Sequence, residues 1–149
     1  MMEIRDYIPT DFPRVEELWK VTGIYTMERG DTARIIDTCN RQGGKLLVMM
    51  DPGNGDLVGT SWMTHDGRRI HLHHFAIQPS LQGKGFGRKL ALASLAFARD
   101  QGCPLKLEVH GENMPAINLY KSLGFEVFEN YNVYMILDPG SALDRLSGQ

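Results

Sequence analysis

The stretch Gln82-Gly83-Lys84-Gly85-Phe86-Gly87-Arg88 separates two segments of different hydrophobic periodicity. A strand-like run over residues 71–78 precedes it, and an alanine- and leucine-rich helical run over residues 90–97 follows it. Because glycine lacks a Cβ atom, backbone N–H groups can converge in such a turn, and the next helix adds its own N–H groups and the positive end of its dipole. The pattern is typical of a loop that binds a pyrophosphate group, with Lys84 and Arg88 adding positive charge.

Two well-known nucleotide-binding patterns do not fit this loop. The pattern G-x-x-x-x-G-K-[ST] occurs nowhere in the sequence, and the dinucleotide pattern G-x-G-x-x-G requires a glycine where the chain has Arg88. The order present is Q-x-x-G-x-G, at Gln82, Gly85 and Gly87. A plain strand-to-helix turn also contains glycines, so the loop alone leaves a purely structural interpretation open.

Hydrophobic periodicity along the rest of the chain predicts alternating strands and helices. Strands are expected over residues 2–7, 46–50, 57–64, 70–78, 105–110, 125–128 and 133–137. Helices are expected after a cap at Thr10 or Asp11, from Asp31 to near residues 43–44, after the glycine loop as far as Gly102, and from a cap at Asn113 to Gly124. Turn residues at 51–56 predict a hairpin, and the glycine-loop helix predicts a crossover between parallel strands.

Further residues around the loop carry a family resemblance. Ala76-Ile77-Gln78-Pro79 precedes the loop, and it is followed by Leu107-Glu108-Val109, Glu112-Asn113, Ala116-Ile117-Asn118-Leu119-Tyr120 and Leu123-Gly124-Phe125. Over about residues 70–137 the sequence resembles the GNAT acetyltransferases, whose coenzyme A loop has the pattern [RQ]-x-x-G-x-[GA]. The resemblance implies a single domain over residues 1–149, of class α/β (α+β). Its mixed, mainly antiparallel sheet would be flanked by helices, with splayed fourth and fifth strands.

The resemblance also implies a reaction, in which an acetyl group passes from acetyl-CoA to a primary amine by direct attack in a ternary complex. Tyr120 would act as the general acid toward the departing thiolate, Glu108 would accept the proton of the amine, and the Ile77 amide would stabilise the oxyanion. The residues implied to bind the cosubstrate are Phe75, Ala76, Ile77, Gln82, Gly83, Lys84, Gly85, Phe86, Gly87, Arg88 and Asn113.

Each of these side chains also has an ordinary structural interpretation. Asn113 is a suitable helix cap, and Tyr120 shares helical spacing with apolar neighbours, as a core aromatic would. Glu108 alternates with apolar residues, as a solvated carboxylate on a strand does. Since Asn113 and Tyr120 are two helical turns apart, they are expected on one helix face.

Three histidines, His71, His73 and His74, lie close together on one expected strand. Alternation predicts that His71 and His73 share a face and that His74 points to the other. The sequence shows no recognisable zinc signature, so no metal site is expected. His74 or His110 is a candidate auxiliary base, because neutral imidazole is available near neutral pH.

Composition narrows the class of protein. With 149 residues, 42% of them hydrophobic, the chain can bury a core of single-domain size. The formal net charge of −2 provides no basic field for nucleic acid, no apolar run is long enough to span a membrane, and residues 1–12 lack a signal-peptide pattern. Cys39 and Cys103 are isolated, which favours reduced thiols and a cytoplasmic location. A homodimer is compatible with these features.

The acceptor is less defined by sequence than the cosubstrate. The resemblance implies that residues 25–31 and 129–132 shape the acceptor pocket, where Glu28, Asp31, Glu108 and Glu129 would favour a cationic amine of a metabolite or of a protein. Two alternatives belong to other classes. The chain would be a non-catalytic acyl-CoA sensor if the acid or the acceptor pocket were missing. A nicotinamide-dependent reductase would use the same loop, with Glu108 on ribose hydroxyls, but the third glycine and a second α/β half are absent.

Overall fold

The structure is a computed structural model that describes residues 1–24 and 30–148. Two compact units, Met1–Leu119 and Tyr120–Gln149, make up the chain, and each is described by itself. The expectation of one domain over residues 1–149 therefore stays a prediction.

A five-stranded sheet in the order β1-β2-β3-β4-β5 forms the first unit. Its strands are β1 (Glu3–Asp6), β2 (Lys45–Asp51), β3 (Asp56–His65), β4 (Ile70–Ile77) and β5 (Leu105–Leu107). Neighbours run antiparallel except for β4 and β5, which are parallel. The mixed, mainly antiparallel sheet is thereby confirmed, as are the hairpin between β2 and β3 and the crossover between β4 and β5.

The described residues contain five α-helices. They are α1 (Phe12–Val21), α2 (Ala33–Arg41), α3 (Phe86–Gln101), α4 (Met114–Ser122) and, in the second unit, α5 (Pro139–Ser147). Asp11 precedes α1 but makes no side-chain cap bond to it. The buried Asp11 carboxylate instead accepts hydrogen bonds from Arg5, Arg14 and the Ile8 N–H at 2.7, 3.0 and 2.9 Å, which hold the pKa of that carboxyl below its usual range.

Side-chain alternation along the strands builds a core on each face of the sheet. On β2, Leu47 and Met49 face the cluster that includes Leu90 of α3, whereas Leu46 and Val48 face the cluster that includes Trp19 of α1. Burying each large apolar side chain contributes about 1.5–3 kcal/mol, so the two clusters fix both helix layers against the sheet.

Two strand predictions in the C-terminal part are wrong. Among residues 108–148 the structure has no strand, although strands were expected over 125–128 and 133–137, and β5 ends at Leu107 rather than at residue 110. Alternating apolar residues satisfied the strand pattern, but a strand also needs a neighbour for its backbone hydrogen bonds. Helix α5 was not predicted, although Asp138 caps it through Ser141 N–H at 3.0 Å and Pro139 occupies its first turn.

The sheet parts between β4 and β5. Their parallel register runs from Ile70 opposite Leu105 to Leu72 opposite Leu107, and β4 then continues to Ile77 after β5 has ended. This divergence confirms the predicted splay of the fourth and fifth strands.

Candidate active site

The glycine loop has the backbone geometry of an anion-binding turn. Gly83 and Gly85 adopt left-handed conformations, with φ of +76° and +88°. No other described part of the chain comes within 4 Å of a Cβ atom built at either glycine, so their surroundings are open. Gly85 is the N-cap of α3 and offers no side chain to the first-turn N–H groups. These N–H groups and the helix dipole therefore fit a phosphate group at this end of α3.

Gln82 ties the loop to the end of β4. Its Nε2 atom donates a hydrogen bond to the carbonyl oxygen of Ile77 at 2.9 Å. Lys84 and Arg88 are exposed at the loop, while the half-buried Phe86 packs its ring on the core at the α3 side. Of the predicted loop residues, Gln82 and Phe86 thus have structural side-chain roles, and a contact with the cosubstrate stays a prediction.

Backbone N–H groups near the end of β4 point toward the splayed side. Gln78 donates its N–H to the Val58 carbonyl of β3 at 2.8 Å. Because these groups alternate in direction along an antiparallel strand, the N–H groups of Phe75 and Ile77 point away from β3. They face the side on which β5 has ended.

A β-bulge interrupts β4 just before this segment. Trp62 is opposite His73 and Thr60 is opposite Ala76, so two β4 residues face the single Ser61 of β3. The first of them, His74, has a φ of +40°, which is rare for a residue with a Cβ atom.

The bulge overturns one sequence prediction. Alternation placed His74 on the face opposite His73, yet both imidazole rings contact the Trp62 ring, at centroid distances of 6.0 Å for His73 and 5.2 Å for His74. The extra residue shifts the alternation by one position, so His74 stays on the face that His73 already occupies.

Several neighbours hold the nearly buried His74 side chain. Its Nε2 atom lies 2.8 Å from Oδ2 of Asp31, and its ring meets Trp19 and Trp62 edge-on at 4.5 and 5.2 Å. The hydroxyl of Thr60 donates to the His74 carbonyl at 2.8 Å and accepts the Trp19 Nε1–H at 2.9 Å. No local sequence pattern indicates this arrangement, because Asp31 and Trp19 lie on other elements and the position of His74 opposite Thr60 and Trp62 depends on the bulge.

His73 is a neutral base beside the splayed strands. Its Nε2 atom lies 2.9 Å from the Thr64 hydroxyl, and its ring stacks with His71 at 5.4 Å. Burial, with a smaller effect of the neighbouring His71 and His74, lowers the pKa of His73 to about 4, although Glu108 and Asp31 oppose the change. An unprotonated imidazole is therefore present at neutral pH. Among residues 1–24 and 30–148, no three His, Cys, Asp or Glu side chains are grouped to hold a metal ion.

Glu108 and Asn113 follow β5. Glu108 is exposed, directly after the last paired residue Leu107, and its carboxylate acts on His73 by raising the pKa of that imidazole. Asn113 is also exposed, and its Oδ1 accepts the Ala116 N–H at 3.3 Å. The helix-cap role of Asn113 is confirmed, whereas its contact with a cosubstrate and the role of Glu108 stay predictions.

Tyr120 begins the second unit. Its side chain is buried, at 8% exposure, and its ring lies edge-on to Phe125 at 5.5 Å. Burial raises the pKa of Tyr120 to about 12, so the hydroxyl keeps its proton at neutral pH. A protonated phenol is the form that a proton donor requires.

Of the two predicted acceptor segments, the structure describes residues 30–31 and 129–132. Residues 25–29, including Glu28, lie outside the described residues. Asp31 is half-buried against His74, and Glu129 is exposed in the second unit. No helix in the described ranges is long and apolar enough to cross a membrane.

These features define a mixed α/β protein in which a glycine loop at a helix N-terminus lies beside the end of β4. Residues 6–125 match the family described as Acetyltransferase (GNAT) family. The chain belongs to this family, and the predicted resemblance is confirmed.

Individual proteins agree with this assignment. The mycothiol acetyltransferase of Thermobifida fusca is 38% identical over 98 residues, which cover 59% of this chain and 30% of that protein. The N-alpha-acetyltransferase RimI of Mycobacterium tuberculosis is 38% identical over 76 residues, covering 48% of this chain and 47% of its own length. The chain thus spans less than half the length of these curated relatives.

A solved structure shares the fold. AAC(6')-Iy, in complex with the bisubstrate analog CoA-S-monomethyl-acetylneamine, has a TM-score of 0.72 at 18% identity, covering 91% of this chain and 98% of the other. At this identity the likeness supports the fold alone.

Proposed function

We propose that this chain transfers an acetyl group from acetyl-CoA to a primary amine by direct attack in a ternary complex. The observation that carries the proposal is the pair of left-handed glycines, Gly83 and Gly85, at the N-terminus of α3 beside the splayed end of β4. Family membership supports the same chemistry, as do the names of relatives that include a mycothiol acetyltransferase and an N-alpha-acetyltransferase.

The glycine loop would bind the pyrophosphate, and the cosubstrate would supply the activated acetyl group. The residues proposed to hold acetyl-CoA are the predicted set: Phe75, Ala76, Ile77, Gln82, Gly83, Lys84, Gly85, Phe86, Gly87, Arg88 and Asn113. Most of them would contribute backbone groups, since the open surroundings of Gly83 and Gly85 leave those amides accessible. Lys84 and Arg88 would add charge at the loop.

Proton transfer would involve a donor for the departing sulfur and an acceptor for the proton of the amine. As the amine nitrogen bonds to the acetyl carbon, the Ile77 N–H would stabilise the oxyanion, because that N–H points toward the splayed side. The carbon–sulfur bond then breaks, and Tyr120 would donate its proton to the sulfur. Glu108 would accept the proton of the amine through water, and the neutral His73 beside it is a second acceptor of suitable protonation state.

The proposed acceptor is a primary amine, and the panel of acceptors must include both small-molecule amines and peptide α-amines. The relatives carry names of both kinds, mycothiol acetyltransferase and N-alpha-acetyltransferase. A cytoplasmic location, a homodimer and a metal-free reaction remain predictions alongside this proposal.

Ligand-induced stabilisation and turnover test the proposal together. A ligand that binds the native state raises its melting temperature, so acetyl-CoA is expected to raise it more than NAD or ATP at equal concentration. Release of free coenzyme A thiol across the amine panel then measures transfer. Equal shifts with NAD would contradict the cosubstrate assignment, and acetyl-CoA binding without turnover on any amine would assign the chain as an acyl-CoA sensor.

A further inference from the structure

We propose that Asp31 and His74 form a positioning pair, which locks the β4 bulge and so aims the N–H groups of Phe75 and Ile77 at the thioester. The inference rests on the proposed acetyl transfer and deepens it. Neither residue is assigned a contact with the reacting atoms.

The bulge reverses the direction of the backbone groups along β4. Ile70 donates its N–H to Pro104, on the β5 side, at 2.9 Å, whereas Gln78 donates its N–H to Val58 of β3 at 2.8 Å. These two residues are an even number apart, so in an unbroken strand both N–H groups would point to the same side. The extra residue at the bulge is what turns the Ile77 N–H from β3 toward the splayed side.

The bulge depends on an unfavourable backbone conformation. His74 has a φ of +40°, in the left-handed region that L-residues with a Cβ atom rarely adopt. Such a conformation persists only where the surroundings over-determine it, and it occurs preferentially at functional sites.

The surroundings of His74 supply that restraint from three directions. Asp31, just ahead of α2, binds its Nε2 atom at 2.8 Å, and the rings of Trp19 and Trp62 enclose its imidazole. The Thr60 hydroxyl of β3 holds its carbonyl group at 2.8 Å. At 9% and 15% side-chain exposure, the His74 and Asp31 side chains are largely shielded from water, which strengthens their interaction.

Asp31 belongs to the segment over residues 25–31 that was predicted to shape the acceptor pocket. The positioning pair therefore joins Asp31, at the end of that predicted segment, to the strand that would hold the thioester. Because the pair sets the direction of amides and not the phosphate site, its loss is expected to lower kcat with little effect on coenzyme binding.

Asp31→Ala tests the pair, with Asp6→Ala as the matched control. Asp6→Ala likewise removes a carboxylate contact, here with Lys45 at 3.0 Å, but Asp6 lies on β1, far from the β4 bulge in the sheet order. The expected loss for Asp31→Ala is at least ~10-fold in kcat at saturating acetyl-CoA, toward the ~10²-fold that a displacement of about 1 Å can cost. Asp6→Ala is expected to keep wild-type kcat.

Binding of coenzyme A and of acetyl-CoA gives a readout that general destabilisation would not produce. The aimed amides would contact the thioester carbonyl, which acetyl-CoA carries and coenzyme A lacks. Asp31→Ala is therefore expected to lose the difference in affinity between acetyl-CoA and coenzyme A while its affinity for coenzyme A stays within about twofold, since the phosphate contacts dominate that binding. An equal loss for both ligands would overturn the positioning role.

A second variant keeps the test decisive if Asp31→Ala is poorly folded. Glycine adopts positive φ without strain, so in the Asp31→Ala background His74→Gly removes the backbone strain that the Asp31 contact is proposed to offset. The double variant is expected to recover part of the lost kcat, and His74→Asn, which also tolerates the left-handed region, is expected to retain more kcat than His74→Ala. No recovery in a folded double variant, or unchanged kcat in Asp31→Ala, would refute the proposal.

Failure of the proposed function is distinguishable from failure of this inference. If wild-type protein binds acetyl-CoA but acetylates no amine, the transfer proposal fails, and the affinity difference between acetyl-CoA and coenzyme A still tests the positioning pair. Wild-type turnover combined with unchanged Asp31→Ala kinetics overturns the pair alone.

Discussion

Alanine substitution at Gly85 and at Gly87 separates the two kinds of glycine in the loop. Gly85 has a φ of +88° with open space around its missing Cβ, so an added methyl group would be strained without clashing. Gly87 lies inside the first turn of α3 and outside the left-handed region, and a Cβ there would lie 3.5 Å from Leu119 Cδ2, an ordinary contact distance. The same chemical change is therefore expected to act in opposite directions on stability.

The magnitudes follow from backbone preferences. A left-handed conformation costs an L-residue about 1–2 kcal/mol, and the lower entropy of the unfolded alanine chain offsets about 0.4–1 kcal/mol of that, which leaves Gly85→Ala destabilised by about 1 kcal/mol. Gly87→Ala gains up to about 1 kcal/mol of helix propensity. For a chain of this size the melting temperatures are expected to lie about 4–8 °C apart, since each kcal/mol corresponds to about 2–4 °C.

Acetyl-CoA binding should follow the same order. If Gly85→Ala relieves its strain by rotating the first-turn N–H groups of α3, a loss of about 1.4 kcal/mol in binding free energy weakens Kd about tenfold. Thermal denaturation and isothermal titration of both variants measure the two effects, with Gly87→Ala expected to bind more tightly than Gly85→Ala. Gly85→Ala with wild-type stability and wild-type Kd would refute the left-handed cradle.

Tyr120→Phe keeps the aromatic ring and is expected to lower turnover by about 10²-fold with little change in acetyl-CoA affinity, the scale of lost general acid catalysis. Near-wild-type thiol release from this variant would exclude an essential proton donor. Glu108→Gln is expected to reduce turnover most at low pH, where amine deprotonation is limiting; a uniform loss across the pH range would contradict the base role. His73 has a pKa lowered from 6.5 to about 4, so as pH falls from 6.5 toward 4 the unfolded chain takes up a proton that the folded chain does not. Wild-type protein should lose up to about 3 kcal/mol more unfolding free energy than His73→Gln over that range. An equal loss in the two proteins, measured by urea unfolding at each pH, would count against a buried neutral His73.

Local signals in the sequence predicted the glycine turn before α3 and the Asn113 cap of α4. The Gly83 and Gly85 turns and the Asn113 cap depend on residues within one or two turns of each other, so residue type alone determines their backbone conformation. The splay of β4 and β5 came from the family resemblance, and the structure places its start after Leu72.

Long-range pairing decided the parts that the sequence did not predict. The face of the sheet on which the His74 side chain lies depends on how β4 aligns with β3. The bulge shifts that register between His73 and Ala76. The contact of His74 with Asp31 joins residues on different elements, which no local pattern encodes. Val133 and its apolar neighbours matched the strand template, but their backbone conformation depends on whether a partner strand is available.

The hydrogen bond from Gln82 to the Ile77 carbonyl ties the glycine loop to the end of β4. The segment from Ile77 to the start of α3 therefore acts as a spacer that sets the distance between these two points. Under the proposed function, one end of that spacer would be the anion site at α3, and the other would be the backbone group that faces the reacting carbonyl. A ligand fills both ends only if its phosphates and its acyl carbon are separated by an arm that matches the spacer. Under the proposed function, selection for coenzyme A over shorter nucleotides would depend on this distance, and it would not require side chains that recognise the adenine base.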